Sequence, residues 1–215
     1  LGDCGMDFRT LHSDKFIGQY LSEGNDAEAM ELFDESLRAA CAAGAEKMVL
    51  HMWGGVVSDS CFAHNLTYLP RMVDRCGEAG VTLCVENVPC SCGDPIAHWR
   101  DCEALCPDVR FIYDTRFGYF AGTLERDVGL FSDEVFGKKT VHMHISDFTG
   151  VQHDFHCLRP IPMPGEGSID FNSFFSAIKP IYSGTVTLES PSLDEHGHVD
   201  PERLSEAIEY IRQRL

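Results

Sequence analysis

Four side chains that could bind a metal ion and move protons lie at or just after the ends of strand-like runs in this chain. They are Glu86 after VTLCV, Asp114 after VRFIY, His144 within TVHMHI and Glu189 after GTVTL. Each run is short, apolar and rich in β-branched residues, which is typical of a buried strand. Three carboxylates and one imidazole suit Mn²⁺ or Mg²⁺, with Co²⁺ and Zn²⁺ as alternatives. The sequence therefore predicts one divalent metal site wherever these strand ends meet.

Each of the four residues is a weak signal by itself, because an acid that ends a strand is more often a helix cap or a surface residue. Their repetition at corresponding positions of four strands is what favours a shared site. The third strand also carries His142, and we expect only one of its two histidines to face the interior. His144 is the better candidate because it lies nearer the C-terminal end of the strand.

Helical segments separate the strands and must position them. Two earlier strand-like runs, residues 6–11 and Lys47–Leu50, are followed in the same way by helical patterns. Helix starts are indicated by Asn25, Asp170 and the Asp-Pro pairs at 94–95 and 200–201, and one helix end is indicated by Gly44. Alternating strands and helices predict a parallel sheet with helices outside it.

This alternation predicts a TIM (β/α)8-type barrel formed by one domain, residues 1–215. In such a barrel the C-terminal ends of the strands converge on one mouth, so polar groups far apart in sequence face each other. Only six strand-like runs are visible in the sequence. We therefore expect about two βα units to be missing before Leu1.

Composition and charge exclude some classes of partner. The chain carries 34 acidic and 17 basic residues, a net charge of −17, which opposes unspecific binding to nucleic acid or to an anionic membrane. Neither end carries a long apolar run, so we expect no membrane span. Several of the ten cysteines lie within apolar patterns, which predicts buried thiols and a reducing, cytoplasmic location.

Other polar and aromatic residues are candidates for contacts with a substrate. His12 and His51 follow the first two strand-like runs, and Trp53 comes two residues after His51. Substrate contact and packing in the barrel core are about equally good interpretations of these three residues. The stretch 148–167 contains three prolines and the sequence GEG, so it predicts a long loop that could act as a lid or substrate wall.

An ordered series of motifs carries a resemblance to a known family. VENVP, YDT, VHMHISD, PGEGSIDF and TLES follow one another along the chain. The series resembles the sugar phosphate isomerase/epimerase family of xylose isomerase-like TIM barrels, which includes ketose 3-epimerases, hydroxypyruvate isomerase and inosose dehydratase. The resemblance implies that Glu86, Asp114, His144 and Glu189 bind one divalent ion. It also implies that Glu86 and Glu189 form an acid–base pair on either side of the substrate.

The sequence departs from that family at one motif. Where the family usually has Asp-Thr-Gly-His, this chain has Asp114, Thr115, Arg116 and Phe117. The missing histidine contacts substrate in the epimerases, so Arg116 and Phe117 become candidate substrate contacts, with a surface arginine as the alternative. His12 and His51 resemble two further zinc ligands of endonuclease IV, a distant relative. The replaced histidine and the acidic charge argue against a nuclease.

The predicted function is that of a metal-dependent isomerase or epimerase of a small ketose or related hydroxy-carbonyl compound. The alternatives are a dehydratase of a keto-polyol with the same metal and proton abstraction, and a catalytically silent barrel that only binds ligand. The expected partners are a small sugar or polyol and further copies of the same chain. An open sheet edge would expose unpaired N–H and C=O groups, which favours such an oligomer.

Overall fold

The computed structural model describes residues 7–194 and 196–215. These residues form two compact units, one ending at Ile112 and the other starting at Tyr113. Strands and helices alternate in both units, as the sequence predicts. Among the described residues there are six strands.

The first unit contains three complete strands and the start of a fourth. Its elements are β1 Thr10–His12, α1 Phe16–Ser22, α2 Asp26–Ala43, β2 Lys47–Leu50, α3 Phe62–Leu66, α4 Leu69–Glu78, β3 Thr82–Glu86, α5 Pro95–Leu105 and most of β4 Arg110–Asp114. All of its strand pairs are parallel, with Lys47 of β2 opposite both Thr10 and Thr82. A parallel pair needs a crossover connection, and the helices provide it.

The second unit begins with the last two residues of β4. Its other elements are α6 Thr115–Phe120, α7 Leu124–Asp127, a 3₁₀ turn Val128–Ser132, α8 Phe136–Lys139, β5 Thr140–Ile145, a 3₁₀ turn Phe155–Leu158, α9 Phe171–Ile178, β6 Thr185–Leu188 and α10 Pro201–Arg212. β5 and β6 are parallel, and His144 lies opposite Thr187. The predicted loop 148–167 is confirmed, and it contains the 3₁₀ turn Phe155–Leu158.

Local capping signals place several helix ends where the sequence indicates them. The carboxylates of Asp94, Asp170 and Asp200 each accept hydrogen bonds from backbone N–H groups of the helix that follows. Gly44 ends α2 in the left-handed conformation, with φ of 72°, where a side chain would be strained. Asn25 precedes α2, but its side chain makes no capping hydrogen bond. The cap signals are therefore confirmed, except for the Asn25 side chain.

Aromatic side chains fill the cores of both units. In the first unit Trp99 stacks on Phe111 with ring centroids 4.5 Å apart, and both are fully buried. In the second unit Phe171 stacks on Phe175 at 5.7 Å, and both rings are buried.

All cysteines of the described residues are free thiols. No described helix is long and apolar enough to cross a membrane.

Candidate active site

Three of the four predicted ligands lie together in the second unit. Asp114 is the last residue of β4, His144 is the second-last residue of β5, and Glu189 directly follows β6. One ligand atom from each of the three lies within 4.8 Å of the others. His144 Nδ1 is 3.4 Å from Glu189 Oε1. Two carboxylates and an imidazole therefore meet at the C-terminal ends of these strands.

Asp114 is held in place by the helix that starts directly after it. Its Oδ1 accepts hydrogen bonds from the backbone N–H groups of Arg116 at 2.7 Å and Phe117 at 3.1 Å, so Asp114 is the N-cap of α6. The carboxylate is fully buried. A helix N-terminus favours a negative charge, so the same residue can cap α6 and keep an ionised carboxylate at the site.

The expectation that only one of His142 and His144 faces the interior is wrong. The two rings are in edge-to-face contact with centroids 5.2 Å apart, and both are buried. Residues two apart in a strand point to the same face, which explains the contact. His142 Nδ1 lies 2.6 Å from Thr185 Oγ1, whereas His144 lies beside Glu189. The two histidines therefore differ in their neighbours along one strand face.

The clearest indication that the side chains of the second unit can bind a cation comes from Glu189. Its Oε2 atom is buried and has no hydrogen-bond partner among the residues that the structure describes. A buried carboxylate oxygen without a donor is costly, and a divalent cation would satisfy it. An oxygen-rich donor set with one imidazole also matches the preferences of Mn²⁺ and Mg²⁺, and Zn²⁺ accepts it too.

Arg116 and Phe117, which replace the family's Gly-His, are both buried. The Arg116 guanidinium lies 4.4 Å above the Phe117 ring. It donates from Nε to Ser146 Oγ at 3.3 Å and from Nη1 to the Leu158 carbonyl at 3.2 Å, and its Nη2 is 3.7 Å from Asp114 Oδ2. Arg116 is thus buried within the protein and joins the long loop to the end of β5.

Glu86 lies in the first unit with the two predicted histidines beside it. It is fully buried at the end of β3, and its Oε2 is 2.6 Å from His51 Nε2 and 3.4 Å from His12 Nε2. The rings of His12 and His51 meet edge to face at 4.7 Å. One atom from each of these three residues lies within 4.8 Å of the others, a spacing that could also hold a metal ion. His12 and His51 therefore contact the proposed base directly.

Trp53 is fully buried beneath the loop that follows Glu86. Its indole N–H donates to the Pro89 carbonyl at 3.2 Å, and its ring meets Phe62 and His98 edge to face. These contacts belong to packing and loop support. The predicted contact of Trp53 with substrate stays a prediction.

Sequence reasoning assigned no role to two buried aspartates, Asp59 and Asp147. Asp147 is fully buried and accepts hydrogen bonds from the backbone N–H groups of Phe148, Gly165, Gly167 and Ile169. Asp59 accepts from three consecutive backbone N–H groups at 91–93 and pairs with His98. Except for Phe148, these partners are distant in sequence, so no local pattern marks them. For Asp147 the available signal was its place just after a strand, followed by a loop rich in glycine.

The fold of the chain is similar to those of several solved structures. The chain is similar to the IOLI protein crystallised with a zinc atom (18% identity, 96% of this chain and 74% of that one, TM-score 0.65). It is also similar to a xylose isomerase domain protein from Alicyclobacillus acidocaldarius (18%, 99% and 78%, TM-score 0.72). A third is the apo form of the 3-keto-D-glucoside 4-epimerase YcjR from E. coli (17%, 99% and 81%, TM-score 0.66). At these identities the likeness concerns the fold.

A search of curated proteins finds no significant match to this chain. A family model does match, however, and it covers residues 13–214, which include every residue of the two groups above except His12. The predicted barrel type and the predicted resemblance are both confirmed by this match. The chain belongs to the family of xylose isomerase-like TIM barrels.

Proposed function

We propose that this protein is a metal-dependent isomerase or epimerase that acts on a small ketose or related hydroxy-carbonyl compound. The observation that carries the proposal is the meeting of Asp114, His144 and Glu189 within 4.8 Å in the second unit. Each of them lies at the C-terminal end of a strand or directly after it, and in a TIM barrel these strand ends converge on one mouth. The sugar epimerase among the similar structures supports the same reaction class.

The proposed ligand set is Asp114, His144 and Glu189 from the second unit, with Glu86 from the first as the fourth ligand. Mn²⁺ or Mg²⁺ suits three carboxylates and one imidazole. Zn²⁺ and Co²⁺ are the alternatives, and the zinc atom bound by the IOLI protein adds support for Zn²⁺. When bound, the cation stabilises the negative charge that develops on the substrate oxygen.

Glu86 and Glu189 are the proposed acid–base pair. One carboxylate removes the proton beside the substrate carbonyl, and the other returns a proton to the opposite face or to the neighbouring carbon. His51 Nε2, 2.6 Å from Glu86 Oε2, fixes the orientation of that carboxylate. The full burial of Glu86 keeps water away from the oxygen that would accept the proton.

The residues predicted from the sequence to contact substrate remain the proposed substrate wall. His12 and His51 can donate to or accept from substrate hydroxyls, because each places a ring nitrogen within 3.4 Å of Glu86. Phe117 supplies an apolar face. We propose that Arg116 and Trp53 act mainly on the loops that form the wall, since both side chains donate to loop carbonyls.

Two other functions use the same residues differently. A dehydratase would remove the same proton but then expel a hydroxide ion from the neighbouring carbon, so its product would be one water molecule lighter. A silent barrel would bind sugar and metal without turnover.

A cytoplasmic location and assembly into oligomers remain part of the proposal, and free thiols in the described part of the chain support a reducing compartment.

Metal binding tests the proposal through two histidines on one strand. Protein stripped with a chelator should bind about one Mn²⁺ or Zn²⁺ per chain in calorimetric titration and should then convert at least one member of a ketose panel. His144→Gln should weaken metal binding strongly. His142→Gln is the matched control, since His142 is equally buried on the same strand but is paired with Thr185. Equal losses in both variants, or no metal bound by the wild type, would overturn the ligand set.

A further inference from the structure

The loop that follows Glu86, residues 87–93, is held by a separate loop of the first unit. Asp59, in the loop after β2, accepts hydrogen bonds from the backbone N–H groups of Ser91 and Cys92 through Oδ1, at 2.8 and 2.9 Å. Its Oδ2 accepts from the backbone N–H of Gly93 at 2.7 Å. Three consecutive N–H groups thus converge on one fully buried carboxylate.

Two further contacts fix the same loop nearer to Glu86. The Pro89 carbonyl accepts from Trp53 Nε1 at 3.2 Å and from Ser58 Oγ at 3.3 Å. Ser58 has a positive φ of 48°, a conformation that non-glycine residues rarely adopt. Such a backbone conformation is retained where the contacts around it hold it in place. This backbone turn allows neighbouring Ser58 and Asp59 to bond to the loop together.

Gly93 and His98 complete the pocket around Asp59. A Cβ atom at Gly93 would lie 2.9 Å from His98 Nε2 and 3.0 Å from Asp59 Oδ2, so a larger residue would require these two side chains to shift. His98 Nε2 is 2.9 Å from Asp59 Oδ2, and the His98 ring stacks on Phe62 at 3.9 Å. The imidazole is therefore fixed by packing as well as by the carboxylate.

The electrostatics agree with a carboxylate that is charged and fully bonded. Burial by itself raises the pKa of Asp59, but the hydrogen bonds from His98 and from the Cys92 and Ser91 backbone N–H groups outweigh it and lower the pKa below its ordinary value. Cys90 lies close enough to join Asp59 and His98 as a metal ligand. Burial raises the pKa of the Cys90 thiol, however, and a protonated thiol is a poor ligand.

We propose that Asp59 is a positioning residue for Glu86, acting through the backbone of the loop that follows it. This inference rests on the proposed function, in which Glu86 is a metal ligand and one of the two proton-transferring carboxylates. The loop after β2 begins at His51, which touches Glu86 Oε2, and ends near Asp59, which holds residues 91–93. One segment of the chain therefore fixes both the carboxylate and the backbone after it.

Asp59→Asn tests the proposal because the amide keeps the shape but turns an N–H group towards backbone N–H groups. In the purified full chain, hydrogen exchange at Ser91, Cys92 and Gly93 should be accelerated about tenfold or more. The ring-nitrogen resonances of His51 should also shift, because its partner Glu86 moves. A displaced base should lower kcat about tenfold while KM changes less, since a small misplacement of a reacting group slows the chemical step. The shape of the pH–rate profile should be retained.

Asp200→Ala is the matched control. It removes another carboxylate that accepts two backbone N–H groups, those of Glu202 and Arg203 at the start of α10. It should lower stability and leave the amides at 91–93, the His51 resonances and kcat unchanged. The proposal is overturned if Asp59→Asn leaves the exchange rates and the His51 resonances as in the wild type, or if its kcat loss matches that of the control. Exchange and resonances need no turnover, so failure of the proposed function is seen separately, as an inactive wild type.

Discussion

Asp59 in the first unit and Asp147 in the second both hold loops through backbone N–H groups, but they do so in different ways. Asp59 joins two loops that are more than 30 residues apart in sequence, and it shares the task with His98. Asp147 starts the long loop itself and binds the far end of that loop at Gly165, Gly167 and Ile169. The first carboxylate therefore supports a neighbouring loop, whereas the second closes its own.

The two carboxylates also fix different parts of their loops. Asp59 and its neighbours bond to four of the seven residues between Glu86 and Asp94, so the short loop is fixed along its length. Asp147 fixes only the two ends of the stretch 148–168. Inside that loop Arg116 donates to the Leu158 carbonyl, and the His153 N–H donates to the Phe120 carbonyl at 3.0 Å. Val151 and Phe155 are exposed. We expect the middle of the long loop to exchange its amide protons faster than the short loop does.

The largest expected effect is a loss of kcat when the proposed catalytic glutamate of either unit is replaced. Glu86→Gln and Glu189→Gln keep the shape but remove a charge and a proton acceptor, so each should lower kcat by roughly 10²-fold or more. Glu166→Gln is the control, because Glu166 is exposed and its side chain bonds to Arg203 and to the Met163 N–H, away from the proposed ligands. Steady-state kinetics on the converted ketose measures all three. Losses below about threefold in either variant would remove that glutamate from the chemistry.

A glycine series compares the two carboxylate pockets through stability. A Cβ at Gly167 would lie 2.4 Å from Asp147 Oδ1 and 2.5 Å from the Phe148 carbonyl oxygen, which is backbone and cannot turn away. At Gly93 the crowded atoms belong to the side chains of His98 and Asp59, which can move. Gly167→Ala should therefore cost about 1–3 kcal/mol of unfolding free energy, and Gly93→Ala should cost less.

Gly77→Ala is the reference for this series. It lies in α4, and outside that helix no atom of the described residues lies within 4 Å of the added Cβ, so alanine should be neutral or stabilise by up to about 1 kcal/mol. Urea denaturation measures all three variants. A cost at Gly93 equal to or above that at Gly167 would show that the Asp59 pocket is the more rigid of the two.

Acid denaturation compares Asp59 with Asp127, a buried aspartate of the second unit. The pKa of Asp59 is lowered, so its contribution to stability is present above the unfolded value of about 3.9 and is lost as the pH falls through the folded pKa. Burial raises the pKa of Asp127, so its contribution has the opposite slope: stability falls as the pH rises from the unfolded value of about 3.9 through the raised folded pKa. Asp59→Asn should flatten the acid limb of stability, and Asp127→Asn should steepen it. Thermal melts between about pH 2.5 and 6 measure both slopes.

The parts of the fold that could be predicted from the sequence depend on local signals. Asp94 and Asp200 are each followed by proline, and their carboxylates cap the helices as the pattern indicates. Strand ends follow from apolar runs, so the positions of Asp114 and Glu189 were predictable. The sequence patterns do not indicate the short helices α1 and α6. For α6 the reason is that the helix starts directly after Asp114, with no separating turn.

The parts that could not be predicted depend on contacts between distant segments. Nothing near Asp59 in sequence indicates that its partners are 32 to 34 residues away. Two interpretations of Arg116 are open from the sequence, a surface position and a contact with substrate. The structure buries it against Ser146 and Leu158. His142 was misplaced although spacing alone settles its face, since residues two apart share a side of the strand.

Isotope exchange detects the proposed proton transfer to and from a substrate carbon. Metal-loaded protein is incubated in D₂O with each member of a ketose panel, and the recovered sugars are analysed by mass spectrometry and NMR. We expect one deuterium at the carbon beside the carbonyl in both the recovered substrate and its product, with exchange abolished in Glu86→Gln and Glu189→Gln. Turnover without deuterium incorporation would contradict proton transfer through these carboxylates and would point to a hydride shift.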